Sequence, residues 1–193
     1  MPETPTSGTR LEVPLPDHVQ MSRDGADLVL DVRWLRPYHV FMLFFSLFWC
    51  GFLVFWYSQA LSHPSPSNIM LWFPLLHVGA GIGISYATIA GFVNHTRITV
   101  GNGAVEVKLG PLPWWGSRRV PASEITQVYC EEMSSRTRSG VSSTYQVSAI
   151  SPQNRKLRLV GDLAPSDEAL YIEQEVERAL GIPDRRVPGE LAK

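Results

Sequence analysis

Residues 38–93 read YHVFMLFFSLFWCGFLVFWYSQALSHPSPSNIMLWFPLLHVGAGIGISYATIAGFV and contain no Asp, Glu, Lys or Arg. The one polar break in this stretch is the Pro-, Ser- and His-rich segment 62–68. At about 1.5 Å of helical rise per residue, about twenty apolar residues cover the roughly 30 Å hydrocarbon core of a bilayer. We therefore predict a transmembrane hairpin over residues 37–94, with membrane-spanning helices at 38–58 and 69–93.

Basic residues flank the predicted hairpin, but none lies in the loop that connects its two helices. Cytoplasmic flanks of membrane helices carry an excess of Lys and Arg, so this distribution places both termini in the cytoplasm. The sequence thus predicts a multi-pass membrane protein of which only the connecting loop faces outward. The flanking basic residues are Arg23, Arg33, Arg36, Arg97 and Lys108.

The two ends of the chain have the composition of disordered tails. Residues 1–17 are rich in Pro, Thr and Ser and show no apolar period. We also predict disorder for residues 183–193, where Pro183 and Pro188 follow the last helix. Between the first tail and the membrane, Asp24-Gly25 separates two short strand-like runs. This pattern predicts a β-hairpin over residues 18–36.

Residues 95–182 change from strand to helix patterning along the chain. Alternating apolar and polar residues, interrupted by Gly-, Pro- and Asn-containing turns, predict about five strands. Helical periodicity then begins at Ser166, the predicted N-cap, and ends at Leu180, before a natural C-cap at Gly181. The fold class is α+β: a membrane hairpin with a β-rich soluble domain closed by one helix.

Four segments of this domain have a recognisable pattern: NHTRITV at 94–100, VEVKLG at 105–110, VP at 120–121 and EITQV at 124–128. With them the domain resembles the bacterial pleckstrin-homology-like domains that follow a membrane hairpin. The resemblance implies a small β-barrel or sandwich of about seven strands, capped by the C-terminal helix and held at the cytoplasmic (inner) membrane of a bacterium. Its motifs are structural, so it implies a fold more than a function. It leaves open whether residues 20–34 join the same sheet.

One loop combines aromatic and basic residues in a way that suits a membrane surface. Trp114 and Trp115 are followed by Arg118 and Arg119. Indole rings favour the bilayer interface, and each basic residue near an anionic leaflet contributes about 1 kcal/mol. We predict that these four residues contact lipid head groups; the alternative is that both rings cover the core while the Arg pair is solvated.

The second membrane helix carries small residues four apart at Gly79, Gly83, Ala87 and Gly91. This spacing lets a neighbouring helix approach closely. The neighbour is either the first helix of the same chain or another molecule, in a homo-oligomer or with a partner protein. The second option supports an alternative function, as a subunit of an oligomeric channel or transporter.

The sequence contains no recognisable catalytic or cofactor-binding motif. It lacks a phosphate-binding Gly-rich loop, a Gly-x-Ser-x-Gly elbow, His-Glu-x-x-His and Cys-x-x-Cys. His77 is a candidate polar site within the membrane, although no second metal ligand or carboxylate lies near it in sequence. We therefore predict no enzyme, no metal and no cofactor.

The predicted partners are the lipid bilayer, through anionic head groups, and a protein partner or a second copy. Nucleic acid is a poor fit because the basic excess is small and no binding module is recognisable. The predicted function is that of a membrane-held binding or scaffolding module.

Overall fold

The computed structural model describes residues 13–64, 67–137, 140–183, 185 and 187–191. The chain divides into two units that we describe separately. A helical unit holds Arg33–His95 with Gly110–Trp114, and a sheet unit holds Met1–Val32, Thr96–Leu109 and Trp115–Lys193.

The helical unit is a hairpin of α1 (Pro37–Ser62) against α2 (Asn68–Trp72) and α3 (Leu75–Val93). Within the described residues, Pro37–Ser62 and Asn68–Val93 are long and apolar enough to cross a membrane. Pro37 occupies the first turn of α1, where its missing N–H costs nothing.

Pro74 divides the second span into α2 and α3, because proline has no N–H to donate to the carbonyl four residues earlier. That carbonyl belongs to Met70, and it accepts a hydrogen bond from the indole N–H of Trp56 at 3.1 Å. The neighbouring carbonyl of Leu71 accepts from the Tyr57 hydroxyl at 3.3 Å. Side chains of α1 therefore satisfy the backbone where the second helix is interrupted.

The larger sheet has the strand order β1-β2-β3-β4-β5. The Asp24-Gly25 turn joins β1 to β2, which pair antiparallel. Arg97 of β3 donates to the Asp31 carboxylate of β2 through Nε at 2.9 Å and Nη2 at 3.1 Å. The N-terminal hairpin thus belongs to the same sheet as the strands that follow the helical hairpin. The strands are β1 (Val19–Asp24), β2 (Asp27–Arg33), β3 (His95–Gly101), β4 (Ala104–Gly110) and β5 (Arg118–Pro121).

The smaller antiparallel sheet contains β6 (Gln127–Thr137), β7 (Gly140–Ile150) and β8 (Lys156–Leu163), in that order. Both sheets are open, so the expectation of a barrel is wrong. One physical reason lies in β5, which has four residues and ends in Pro121, a residue with no N–H for a further ladder. A short 3₁₀ turn at Ala122–Glu124 then separates β5 from β6.

Both sheets and α4 (Ser166–Leu180) contribute to one hydrophobic core. Helix α4 begins after Pro165, which occupies the N-cap position expected for Ser166. Its C-cap is Gly181, as predicted, in the left-handed conformation at φ +66° that glycine adopts without strain. The largest fully buried apolar residues are Leu30, Ile98, Val105, Val107, Val128, Val147, Ile172 and Val176.

Parts of both predicted tails pack on the sheet unit, and residues 1–12 lie outside the described part of the chain. The Val13 N–H donates to the side chain of Gln174 at 3.3 Å. Near the other end, Leu191 packs against the core. The expectation of disorder therefore does not describe Val13 or Leu191.

Candidate functional site

Asn94 ties the β4–β5 loop to the end of α3. Its side chain is 3% exposed and pairs with both backbone polar groups of Leu112. Oδ1 accepts from the Leu112 N–H at 2.7 Å, and Nδ2 donates to the Leu112 carbonyl at 3.2 Å. The backbone carbonyl of Asn94 also accepts from the Trp34 N–H at 3.3 Å. Asn94, at the end of α3, thus connects the loop residue Leu112 with Trp34, which precedes α1.

Trp114 reinforces this attachment through aromatic packing. Its ring stacks on Tyr86 of α3 with centroids 6.0 Å apart and an interplanar angle of 6°. Trp34 meets the same ring edge-on at 5.4 Å and 80°. The Tyr86 hydroxyl donates to the Pro113 carbonyl at 2.5 Å. We call Trp34, Tyr86, Asn94 and the loop residues Leu112–Trp114 the clasp.

The remaining predicted contact residues belong to the sheet unit and have different environments. Trp115 is 80% exposed. The Arg118 guanidinium donates to the carbonyls of Gly116, at 3.2 Å, and Arg158. Arg119 is exposed and lies across the strand pair from Glu106. The structure therefore assigns Arg118 a backbone-bonding role and leaves Trp115 and Arg119 at the surface.

The alternative that both Trp rings cover the core is wrong. Trp114 is half-buried against Tyr86 and Trp34, both in the helical unit, and Trp115 is exposed. The sequence predicted a pair because the two residues are adjacent. Adjacent residues of an extended loop can point in different directions, so one Trp ring is packed and the other is exposed.

The helices of the hairpin pack through residues that repeat every seven positions along α1. The buried residues of α1 are His39, Ser46, Leu53 and Ala60. Ser46 Oγ lies 2.8 Å from Ser85 Oγ of α3. A seven-residue repeat is typical of helices that supercoil around each other. The repeat is one of burial and not of residue type, so the structure and not the sequence reveals it.

Of the four small residues, only Gly91 packs on the first helix, so the option of packing within the chain does not describe the other three. A Cβ at Gly79 or Gly83 would meet nothing within 4 Å, and Ala87 is exposed. Gly91 does contact α1: a Cβ there would lie 1.9 Å from Cδ2 of His39. Gly81 plays a similar role beside Trp49, with 3.0 Å to Cδ1. Residues four apart drift around a 3.6-residue helix, so only the last member reaches the seam.

His77 lies between two aromatic rings of the hairpin. Trp49 is 5.8 Å away and nearly parallel, and Phe73 is 5.2 Å away. The Trp49 indole N–H donates to the His77 carbonyl at 3.0 Å. Nδ1 of His77 is buried and has no hydrogen-bond partner in the described part of the chain. Among the described residues, no group of three or more His, Cys, Asp or Glu could hold a metal ion.

Sequence reasoning missed a polar network on the smaller sheet. The Glu131 carboxylate accepts from Lys156 Nζ at 2.5 Å, from Ser148 Oγ at 2.9 Å and from the Gln146 amide. Burial alone would raise the pKa of Glu131, but these hydrogen bonds lower it below its ordinary value. Burial raises the pKa of the neighbouring Tyr129. The network depends on strand register, which no local motif in the sequence reveals.

Compared with models of protein families and with curated protein sequences, the chain matches none of them.

Proposed function

We propose that this chain is an integral membrane protein of the bacterial inner membrane whose hairpin spans the bilayer and holds a pleckstrin-homology-like domain at the cytoplasmic leaflet. On this proposal the protein is a binding or scaffolding module and not an enzyme. The observation that carries it is the outward face of the hairpin, which is apolar along both helices. A soluble protein rarely exposes an apolar surface of this extent.

The exposed side chains of the hairpin support insertion in lipid. Large apolar groups lie outward at many positions of both helices, where water would be an unfavourable solvent. The polar side chains Ser46 and Ser85 instead face each other. Apolar side chains that face outward and polar side chains that bond to each other are expected of helices surrounded by hydrocarbon. Outward-facing examples are Phe41, Phe44, Leu47, Phe48, Val54, Phe55, Leu76, Ile82 and Ile89.

The orientation with both termini in the cytoplasm is supported by the basic residues outside the hairpin. Fractionation tests insertion: the full chain should stay with membranes after alkaline carbonate extraction. A green fluorescent protein fused after Lys193 should fluoresce, whereas alkaline phosphatase at the same place should be inactive. Extraction into the supernatant, or an active phosphatase fusion, would overturn the proposed topology.

The pleckstrin-homology-like assignment is supported by two antiparallel sheets that share one core with a C-terminal helix. The membrane hairpin is inserted between β2 and β3 of the larger sheet. A solved experimental structure of the sheet unit would test the assignment. Strand order different from β1-β2-β3-β4-β5 and β6-β7-β8 would contradict it.

We propose that Trp115 and Arg119 make the contact with anionic head groups, whereas Trp114 and Arg118 hold the loop. Trp115 is exposed and directly follows Trp114, the last residue of the clasp. Arg119 is exposed and follows Arg118 in β5. The division of roles within each adjacent pair provides matched variants for a test.

A fluorescent label that reports apolar surroundings tests this contact. In the full chain with Cys50→Ala and Cys130→Ala, a label on Trp115→Cys should be quenched by brominated lipids in vesicles. A label on Ser123→Cys, an exposed residue of the 3₁₀ turn, serves as the comparison site. The contact would be excluded if the labels at positions 115 and 123 were quenched equally by brominated lipid and equally by a water-soluble quencher.

The Arg pair separates lipid contact from fold stability. Arg119→Gln should weaken the dependence on anionic lipid of the quenching of the label at position 115, and should leave thermal stability unchanged, since the Arg119 side chain is exposed. Arg118→Gln should lower stability by about 1–2 kcal/mol because two carbonyls lose a charged donor. The reverse pattern would assign lipid contact to Arg118.

A second candidate function, assembly into an oligomeric channel or transporter, is favoured by one observation. The Gly79, Gly83 and Ala87 face of α3 is exposed and not used by α1. In lipid discs, Gly83→Leu should then reduce oligomers that the wild-type chain forms. Ion flux into proteoliposomes that disappears with His77→Ala would favour transport over scaffolding.

A further inference from the structure

The outer edge of β6 is contacted by the C-terminal end of the described chain. β6 is a terminal strand of the sheet order β6-β7-β8, so one of its two sides is not paired within that sheet. The Leu191 N–H donates to the Cys130 carbonyl of β6 at 2.8 Å. An open strand edge binds other extended segments readily, and proteins commonly cover such edges.

The segment that carries Leu191 forms its own turn. The Val187 N–H donates to the Glu190 carboxylate at 2.9 Å, and the Glu190 N–H donates to the Val187 carbonyl at 3.1 Å. Gly189 has φ +89°, a conformation that a residue with a side chain rarely adopts. The turn therefore presents Leu191 to the strand in a defined direction.

Leu191 also provides an apolar anchor. Its side chain packs against the core of the sheet unit, as do Leu180 and Ile182 at the end of α4. A backbone hydrogen bond to a strand edge combined with an apolar side chain in a pocket is how added strands are recognised. Leu191 combines one backbone hydrogen bond to β6 with an apolar side chain that packs on the core of the sheet unit.

We propose that the outer edge of β6 is a docking site for a turn-forming segment with one apolar anchor, and that the C-terminal segment Val187–Leu191 is its occupant. In the single chain this segment is a strap over the edge. When released, the edge takes the same segment from a second copy, because the two segments are chemically identical. Exchange of an identical element is a low-cost route to self-association.

A synthetic peptide of residues 183–193, labelled with fluorescein, is the probe. The full chain with Leu191→Asp, which removes the apolar anchor, should bind this peptide about tenfold more tightly than the wild-type chain, whose edge is occupied. A matched peptide methylated on the Leu191 backbone nitrogen lacks the donor and should bind about tenfold more weakly. Equal binding by both proteins, or equal binding of both peptides, overturns the proposal.

A second variant and a direct measurement guard against misfolding of Leu191→Asp. Gly189→Val strains the turn at its positive φ without changing Leu191, and should increase peptide binding in the same direction. In the wild-type chain, the Leu191 amide should exchange with deuterium about tenfold more slowly than an unprotected amide. Exchange at the unprotected rate would show that the strap is not seated and would refute the proposal without any variant.

Discussion

The indole N–H of Trp56 donates to the backbone carbonyl of Met70 at 3.1 Å. Inside a helix that carbonyl would accept from residue 74, but residue 74 is proline. Helix α1 therefore supplies the donor that α2 and α3 lack at their junction. On the proposed membrane topology an unsatisfied carbonyl would be costly, so this contact would contribute to the stability of the hairpin.

Trp56→Phe should destabilise the hairpin by about 1 kcal/mol, because a smaller aromatic ring replaces the indole and the N–H donor to Met70 is lost. Unfolding by sodium dodecyl sulfate in mixed micelles, followed by far-ultraviolet circular dichroism, measures the change. Trp72→Phe is the matched control, since Trp72 is largely exposed. Equal effects of the two variants would contradict a specific role for the indole N–H.

Gly91→Ala should disturb the seam between α1 and α3. A Cβ at this position would lie 1.9 Å from the His39 ring, so the ring or the helix must move. Overpacking of this kind costs about 1–3 kcal/mol.

Gly83→Ala is the control for this variant, because its Cβ would enter open space. The same micelle unfolding assay should show no loss for Gly83→Ala, and a small gain follows from the higher helix propensity of alanine. Comparable destabilisation by the two variants would place Gly83 in the seam and contradict the structure.

Asn94→Ala should release the β4–β5 loop from the base of the hairpin. Both backbone groups of Leu112 lose their partner, and each buried unsatisfied group costs about 1–3 kcal/mol. Hydrogen exchange of the Leu112 amide measures the release directly, and limited proteolysis between Gly110 and Ser117 should become faster.

Asn94→Asp separates the two halves of this interaction. The carboxylate keeps an acceptor for the Leu112 N–H but loses the donor to the Leu112 carbonyl. Protection of the Leu112 amide should therefore persist in part. Full protection in Asn94→Ala would show that Trp114 alone holds the loop.

Acid should destabilise the sheet unit through Glu131. Its pKa is lowered in the folded state, so its contribution to stability is fully present above the unfolded-state value of about 4.3. The contribution is lost as the pH falls through the folded-state pKa, because protonation weakens the bond from Lys156.

Glu131→Gln should reduce the dependence of the melting temperature on pH below about pH 4, where the wild-type carboxylate takes up its proton. Glu132→Gln is the neighbouring control, since Glu132 is exposed. A melting curve of the full chain in detergent, repeated across this acid range, makes the comparison. Identical pH dependence in wild type and Glu131→Gln would exclude this carboxylate as the cause.

Local chemistry predicted those elements whose signals lie within a few residues. The charge-free stretch 38–93 predicted two long helices, Asp24-Gly25 predicted the β1–β2 turn, and Gly181 predicted the end of α4. Ser166 was misplaced by one position, because Pro165 already has the extended conformation required of a cap. These predictions depend only on local composition and on the backbone preferences of single residues, so distant contacts do not alter them.

The candidate site was predictable as a loop but not residue by residue. Trp114 and Trp115 have the same chemistry in the sequence and opposite roles in the structure, and so do Arg118 and Arg119. Trp114 stacks on Tyr86 in the loop that Asn94 holds at Leu112. Arg118 and Arg119 differ because successive side chains of a strand point to opposite faces. Asn94 lies 18 residues before Leu112, so no local sequence pattern links the two residues.

The sequence by itself determined where this chain is apolar enough to leave water, where it turns and where its last helix ends. Tertiary structure alone decided that Gly91 rather than Gly79 or Gly83 meets α1, that the strands form open sheets, and that Leu191 reaches Cys130. The physical reason is that helix rotation and strand register are set by packing between distant segments. Composition and periodicity fix what an element is, whereas only its neighbours fix which face it buries.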